Sequence, residues 1–375
     1  MKKNQLVTLG KHIDILSGCA FPSSGFNRNN GVPLIRIRDI LSGKTETYYE
    51  GSYDLKYLIK KGDLLVGMDG DFNREYWKGT DALLNQRVCK ITPNPETLDK
   101  NFLYHFLQKE LDKIHATTDV VTVKHLSVKK IQDIKIRLPS LKEQKRIAAI
   151  LDKADAIRQK REQAIKLADD FLRAKFLEMF GTPANNIHRF PKGTIRDLVD
   201  SVNYGTSAKA SIDSGEYPIL RMGNITYQGR WDFTDLKYLD LSVKEKDKYL
   251  VKEGDLLFNR TNSKELVGKT AVYEEDRPMA FAGYLIRVRP NSIGNNYYIS
   301  GYLNSIHGKI TLMNMCKSIV GMANINAQEL QNIEILIPPK HLQDEYEIIY
   351  KKIKKGLSIY DKSAMQLQLL ASNLS

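Results

Sequence analysis

The sequence predicts an α+β protein in which two similar globular domains are separated by two long helices that pair as an antiparallel coiled coil. Three observations carry this. Short motifs recur in order along the chain, each copy mixes β-type runs with a helical segment, and each copy is followed by a long amphipathic stretch. The expected boundaries are 1–139 for the first domain, 140–181 for the first long helix, 182–338 for the second domain and 339–375 for the second helix.

The repeat is read directly. "VPLIRIRDI" at 32–40 returns as "YPILRMGNI" at 217–225, and "KKGDLLVG" at 60–67 returns as "KEGDLLFN" at 252–259. "VVTVKHLSVKKIQDIKIRLP" at 120–139 aligns without a gap to "IVGMANINAQELQNIEILIP" at 319–338. The separation between partners widens along the chain while their order holds, as it does when two copies of one domain acquire insertions in loops. Within the first copy, strands are expected at 33–37 and 63–66 and through "KITPN" at 90–94, which matches "RVRPN" at 287–291. A helix is expected over 102–114, with a counterpart over 298–310.

The first long helix has start and stop signals. Ser140 with Glu143 three residues later reads as a capping box, and Gly181 followed by Pro183 ends the run. That leaves about 40 helical residues, roughly 60 Å at ~1.5 Å per residue. Its seam is expected at Ile147, Ile150, Ala154, Ile157, Ala164, Ala168 and Phe171, interrupted by Arg161. The second helix, over 341–374, carries Tyr346, Ile353, Tyr360, Leu367 and Leu374 at a spacing of seven. An amphipathic helix draws most of its stability from packing, so two such stripes are expected to cover each other. Pairing in opposite directions would set the domains at the two ends of a rod.

The net charge of +13 and a pI near 9.3 point to a polyanionic partner. The excess is spread along the chain, which favours local readout with some phosphate contact over coating by charge. Cys19, Cys89 and Cys316 are far apart and odd in number, so neither a disulfide framework nor a paired-cysteine zinc site is written. The N-terminal run lacks the apolar stretch of a signal peptide, and no segment approaches the ~18 apolar residues of a membrane span. No membrane association and a cytoplasmic location are expected.

Side chains able to read base edges cluster after strand-like runs. In the first copy they are Arg36, Arg38, Lys44, Asn73, Arg74 and Lys78, with Lys124 and His125 before its last strand. In the second they are Arg221, Asn224, Asn259, Arg260, Asn262, Lys264 and Lys269. Arginine grips guanine and asparagine grips adenine through paired hydrogen bonds in the major groove of double-stranded DNA, and lysine neutralises phosphate. Two such domains held apart suit two patches of one duplex, since equivalent faces recur about every 34 Å.

A catalyst is not written. "SGKT" at 42–45 and "VGKT" at 267–270 end like phosphate loops, but the first required glycine is Arg38 in one and Ser263 in the other. A methyl-donor loop, an Asn-Pro-Pro-aromatic motif and a His-Glu-x-x-His pair are missing, and "MDGD" at 68–71 reads as a turn.

"LPSLKEQKRIAAILDKADAI" at 138–157, joined to the twofold repeat and the "IPPKHLQ" junction at 337–343, resembles the specificity subunit of type I restriction-modification systems. The resemblance covers essentially the whole chain. It implies that each domain is a target-recognition domain reading one half of a bipartite DNA sequence, with the paired helices setting the gap and docking two modification (methyltransferase) subunits. It further implies a non-catalytic chain with no cofactor of its own. S-adenosylmethionine, ATP and Mg are then expected on the partners, the modification subunits and the translocating, cleaving restriction subunits. The second junction departs from the first, keeping only Pro338 and Gln343 where the first has Pro139 and Gln144. Two readings stand against this one: a standalone coiled-coil scaffold or dimeric DNA-binding adaptor with no restriction-modification role, and an intrinsic magnesium-dependent nuclease.

Overall fold

The repeated Lys-x-Gly-Asp run builds the same turn twice. Gly62 and Gly254 take φ of +90° and +87°, a left-handed conformation open to glycine. The carboxylates of Asp63 and Asp255 accept the backbone N–H of Lys60 and Lys252, each at 2.9 Å. Each turn then launches a strand that is buried on both faces, Leu64–Gly67 and Leu256–Asn259. Their alternation sorts side chains between two cores: Leu64 and Val66 face one and Leu65 the other, as Leu256 and Phe258 face one and Leu257 the other.

The structure is a computed structural model that describes residues 5–118, 124–319 and 322–372, with side chains of the last helix described through Leu357. It divides into two compact units, 1–159 with 363–375, and 160–362.

In the first unit, Leu64–Gly67 lies in an antiparallel sheet between Val88–Pro93 and Arg74–Tyr76, with Ile13–Ser17 at the far edge. A second sheet runs Val32–Ile35 parallel to Ala82–Leu84. Gln5–Thr8 pairs with Lys135–Leu138 and closes the unit. Helix Lys100–Ala116, capped by Asp99, lays Leu103, Leu107 and Leu111 on the first sheet's core at successive i,i+4 positions.

The second unit repeats each part. Leu256–Asn259 lies between Leu285–Pro290 and Thr270–Val272, with Val199–Tyr204 outermost. Tyr217–Leu220 runs parallel to Met279–Phe281, and Lys192–Thr194 pairs with Glu334–Leu336.

Several expectations are corrected. The strand expected over 33–37 ends at Ile35, because Arg36 caps a 3-10 turn, Ile37–Asp39, with Asp39 bonded back to its backbone N–H at 2.9 Å. The helix expected over 298–310 is two helices, Asn296–Asn304 and Ile306–Met315. Ser305 breaks it, its hydroxyl capping Gly308 N–H at 3.0 Å, where an added Cβ would lie 2.1 Å from Tyr302 O.

The first long helix is Leu141–Phe180 and the second Lys340–Ser372. Only half of the expected capping box forms: Ser140 Oγ accepts Glu143 N–H at 3.4 Å, while the Glu143 carboxylate turns to Arg146 at 2.7 Å. Gly181 ends the helix at φ +67°. Ile147 is buried and Ile150, Ala154, Ile157 and Ala168 are half-buried, but Phe171 is 48% exposed. From Ala168 the inward stripe advances by four to Leu172 and then to Phe176 and Phe180, so Phe171 falls on the outer side. Phe176 and Phe180 meet Tyr346 at ring-centroid distances of 5.3 and 5.9 Å, and Asp169, earlier in the first helix, acts electrostatically on Tyr350, later in the second. Within the 160–362 unit the two helices therefore run antiparallel. Ile353 is half-buried; the side chains of Tyr360 and Leu367, and residue Leu374, lie outside the described residues.

Candidate nucleic-acid interface

The central strand of each unit ends in the same hydrogen-bonded corner. In the first, Met68 N–H donates to Arg87 O at 2.8 Å and Leu126 N–H to Met68 O at 2.7 Å. In the second, Arg260 N–H donates to Tyr284 O at 3.0 Å and Ile325 N–H to Arg260 O at 2.9 Å. Three chain segments thus converge at equivalent points, and the next residues of each place side chains together.

In the first corner His125 Nδ1 lies 2.6 Å from Asp69 Oδ1, and Arg87 Nε lies 3.4 Å from Asp69 Oδ2. Arg87 and His125 are 55% and 51% exposed at the side chain. Phe72 and Arg87 hold φ of +50° and +72°, strained for non-glycine residues, and so fix the direction in which the corner's chain turns. Among the described residues the second corner has no ionic triad. Thr261 Oγ1 donates to Asn324 Oδ1 at 3.2 Å, the Arg260 guanidinium sits 4.8 Å over the Tyr204 ring, and Tyr284 is 56% exposed. One corner presents an acid with two basic groups, the other an arginine together with amide, hydroxyl and aromatic groups.

Of the residues expected to read DNA, His125 and Arg260 fall in these corners. Lys124 stands beside the first with its ammonium on His115 O at 2.6 Å. Asn262, next to Thr261, accepts Ser263 N–H at 2.9 Å. Arg38, Lys44 and Lys78 are exposed, the last 3.4 Å from Glu75. Lys264 is exposed at the rim of a cavity. Arg36 packs over Phe26, and Arg221 is ion-paired with Asp235 at 2.8 Å. Asn73 is half-buried and its carbonyl accepts Gly67 N–H at 2.8 Å; Arg74 stacks 3.5 Å from the Tyr104 ring centroid.

Three assignments are corrected, because the side chains lie inside. Asn224 is buried and spends its amide on Arg221 N–H and on the carbonyls of Asp232 and Asp235, as Asp39 caps the equivalent turn. Asn259 is fully buried. Lys269 is buried with Nζ on Met222 O at 2.8 Å, and burial pushes its pKa down.

Sequence reasoning passed over Asp69, Arg87, Thr261 and Tyr284. Continuing the "KKGDLLVG" alignment by two residues sets Met68 and Asp69 opposite Arg260 and Thr261, and extending "KITPN" upstream by three sets Arg87 opposite Tyr284. Among the described residues there is no cluster of His, Cys, Asp or Glu able to hold a metal, and no helix is long and apolar enough to cross a membrane.

A doubled α+β domain with a long helix after each copy is the architecture of paired DNA-specificity domains. Residues 1–167 and 190–371 match the family model described as the type I restriction modification DNA specificity domain, and the chain belongs to that family. It is 31% identical over 374 residues to the type I restriction enzyme EcoBI specificity subunit of Escherichia coli, covering 92% of this chain and 77% of that one. The EcoKI specificity subunit of Escherichia coli strain K12 is 24% identical over 350 residues, covering 86% and 75%. The S subunit of a type I restriction-modification system from M. genitalium shares the fold, with a TM-score of 0.64 at 15% identity over 99% of this chain and 94% of that one. A chain from a structure on complex assembly and conformational transition of the type I R-M system has a TM-score of 0.50 at 17% identity, covering 99% and 96%.

Proposed function

We propose that this chain is the sequence-reading, non-catalytic subunit of a type I restriction-modification complex, and that each unit inspects one half of a split target in double-stranded DNA. The observation that carries the reading is the pair of equivalent corners with different side chains. A duplicated scaffold presenting Asp69, Arg87 and His125 in one copy and Thr261, Tyr284 and Asn324 in the other suits an asymmetric target, because identical sites need identical readers.

On this reading the long helices fix the gap between the halves and offer docking faces to two modification subunits, to which restriction subunits are added. Methyl transfer from S-adenosylmethionine, and ATP- and Mg-dependent translocation and cleavage, belong to those partners, in the cytoplasm.

Co-expression with the cognate modification subunits, followed by genome-wide methylation mapping, is the test. The expected result is a two-part motif with an unspecified spacer, and replacing residues 1–139 with another recognition domain changes one part only. A stable homodimer indifferent to DNA would favour the scaffold reading, and Mg-dependent cleavage by the isolated chain would favour a nuclease.

A further inference from the structure

The 160–362 unit carries a partly open cavity of about 620 Å³, inside the range of roughly 300–1,000 Å³ common for small-molecule sites. One wall is aromatic. Trp231 and Phe233 lie nearly parallel, 6° between planes with centroids 5.9 Å apart, and Trp231 is held by Nε1 donating to Val272 O at 2.7 Å.

Of the cations that line this space, Lys264 is exposed at the rim, and the others divide into satisfied and unsatisfied. Arg230 is ion-paired with Asp169, and Lys354 with Glu274. Arg173 bonds Asp169 O at 3.3 Å and lies 3.7 Å from Asp170. Lys309 differs from these. Its Nζ is buried without a hydrogen-bond acceptor among the described residues, and it sits 4.8 Å over the face of Tyr227.

Burial first, then the positive charges of Lys269 and Arg173, push the Lys309 pKa down to about 8. Among the acids lining the cavity, Asp169 is committed to Arg230 and Glu265 is bonded to Ser263 and its own backbone, which leaves Glu275. A buried ammonium facing two further cations with no acceptor is costly, and an anion removes that cost by supplying both charge and acceptor oxygens.

The geometry points to a small-molecule site in this cavity for a ligand that joins a phosphate to a planar ring, the phosphate on Lys309 Nζ and the ring against the Trp231–Phe233 wall. The residues lining this site include none of the second corner's, and its ligand is a nucleoside-phosphate-sized molecule. Lys309 supplies the charge-specific contact, so ring-only or phosphate-only molecules bind less well than the joined one.

Titration calorimetry on the full chain tests this with adenosine monophosphate, inorganic phosphate and adenosine as probes. The expected result is saturable binding of the monophosphate, at least tenfold tighter than either fragment. Lys309→Met should weaken it tenfold or more while Lys309→Arg stays within a few-fold, both variants keeping the wild-type circular dichroism spectrum. Retained affinity in Lys309→Met, no monophosphate binding by the wild type at millimolar concentration, or equal binding of adenosine and its monophosphate would each overturn the assignment. If Lys309→Met does not fold, acetylating the lysines of the folded wild type with and without the monophosphate replaces it: protection of Lys309 supports the site and equal labelling overturns it.

Discussion

Gln144 and Gln343 stand at the same point of the repeat, one turn into each long helix, and both are fully buried. Gln144 Nε2 donates to Pro139 O at 2.9 Å and Thr97 O at 3.0 Å, and its Oε1 accepts Asp99 N–H at 2.8 Å. The side chain thus ties the end of a strand, the start of a long helix and the cap of helix Lys100–Ala116 together. Gln343 repeats the two donations, to Pro338 O at 2.8 Å and Ile293 O at 3.0 Å, but its Oε1 has no donor among the described residues. This explains why only proline and glutamine survive at both junctions: the proline carbonyl and the glutamine amide form the clamp, and no intervening side chain takes part in it. Gln144→Ala is expected to cost about 2–4 kcal/mol, because it strands buried groups worth about 1–3 kcal/mol each. Gln343→Ala should cost about 1 kcal/mol less, having one fewer bond to lose. Denaturant midpoints of the two variants, followed in each unit separately because two units need not unfold together, check the order. A larger loss for Gln343→Ala would contradict the clamp.

Among elements, the long helices separate what local sequence encodes from what packing decides. The first helix starts and stops within a residue of expectation, because Ser140, Gly181 and Pro183 act on their own backbone. The face it buries was less legible. A spacing of three or four from Ala168 selects Phe171 or Leu172, and the choice falls to Tyr298 and Tyr346, which receive Phe176 and Phe180 from across the fold. Phe176→Ala is therefore expected to destabilise the 160–362 unit by about 3–5 kcal/mol, and Phe171→Ala to stay within about 0.5 kcal/mol. Thermal unfolding of both variants measures this, and equal losses would restore the Phe171 seam. The same division explains the site. Asn224, Asn259 and Lys269 are polar residues beside turns, a composition that reads as surface, yet the second unit folds over them. The corners escaped notice because no segment holds more than a fragment of one; Asp69, Arg87 and His125 meet only when three segments converge.

At the scale of the whole molecule, each unit has its own hydrophobic cores and its own corner. Recognition energies from two such sites should add, as they do for substitutions with no shared partners. Arg87→Ala and Tyr284→Ala are each expected to weaken binding of the cognate duplex by the complex with modification subunits, by about 1–3 kcal/mol if the side chain reads a base. The double variant should lose the sum to within about 0.5 kcal/mol. Salt titration adds a second criterion. A base contact leaves the slope of log K against log salt unchanged, whereas loss of one phosphate contact reduces it by about 0.9. Fluorescence anisotropy on duplexes degenerate in one half at a time then assigns each loss. Arg87→Ala should flatten discrimination in the half read by the first unit and leave the other intact, with Tyr284→Ala doing the converse. Relaxation of the same half by both substitutions would mean that the corners do not read separate halves.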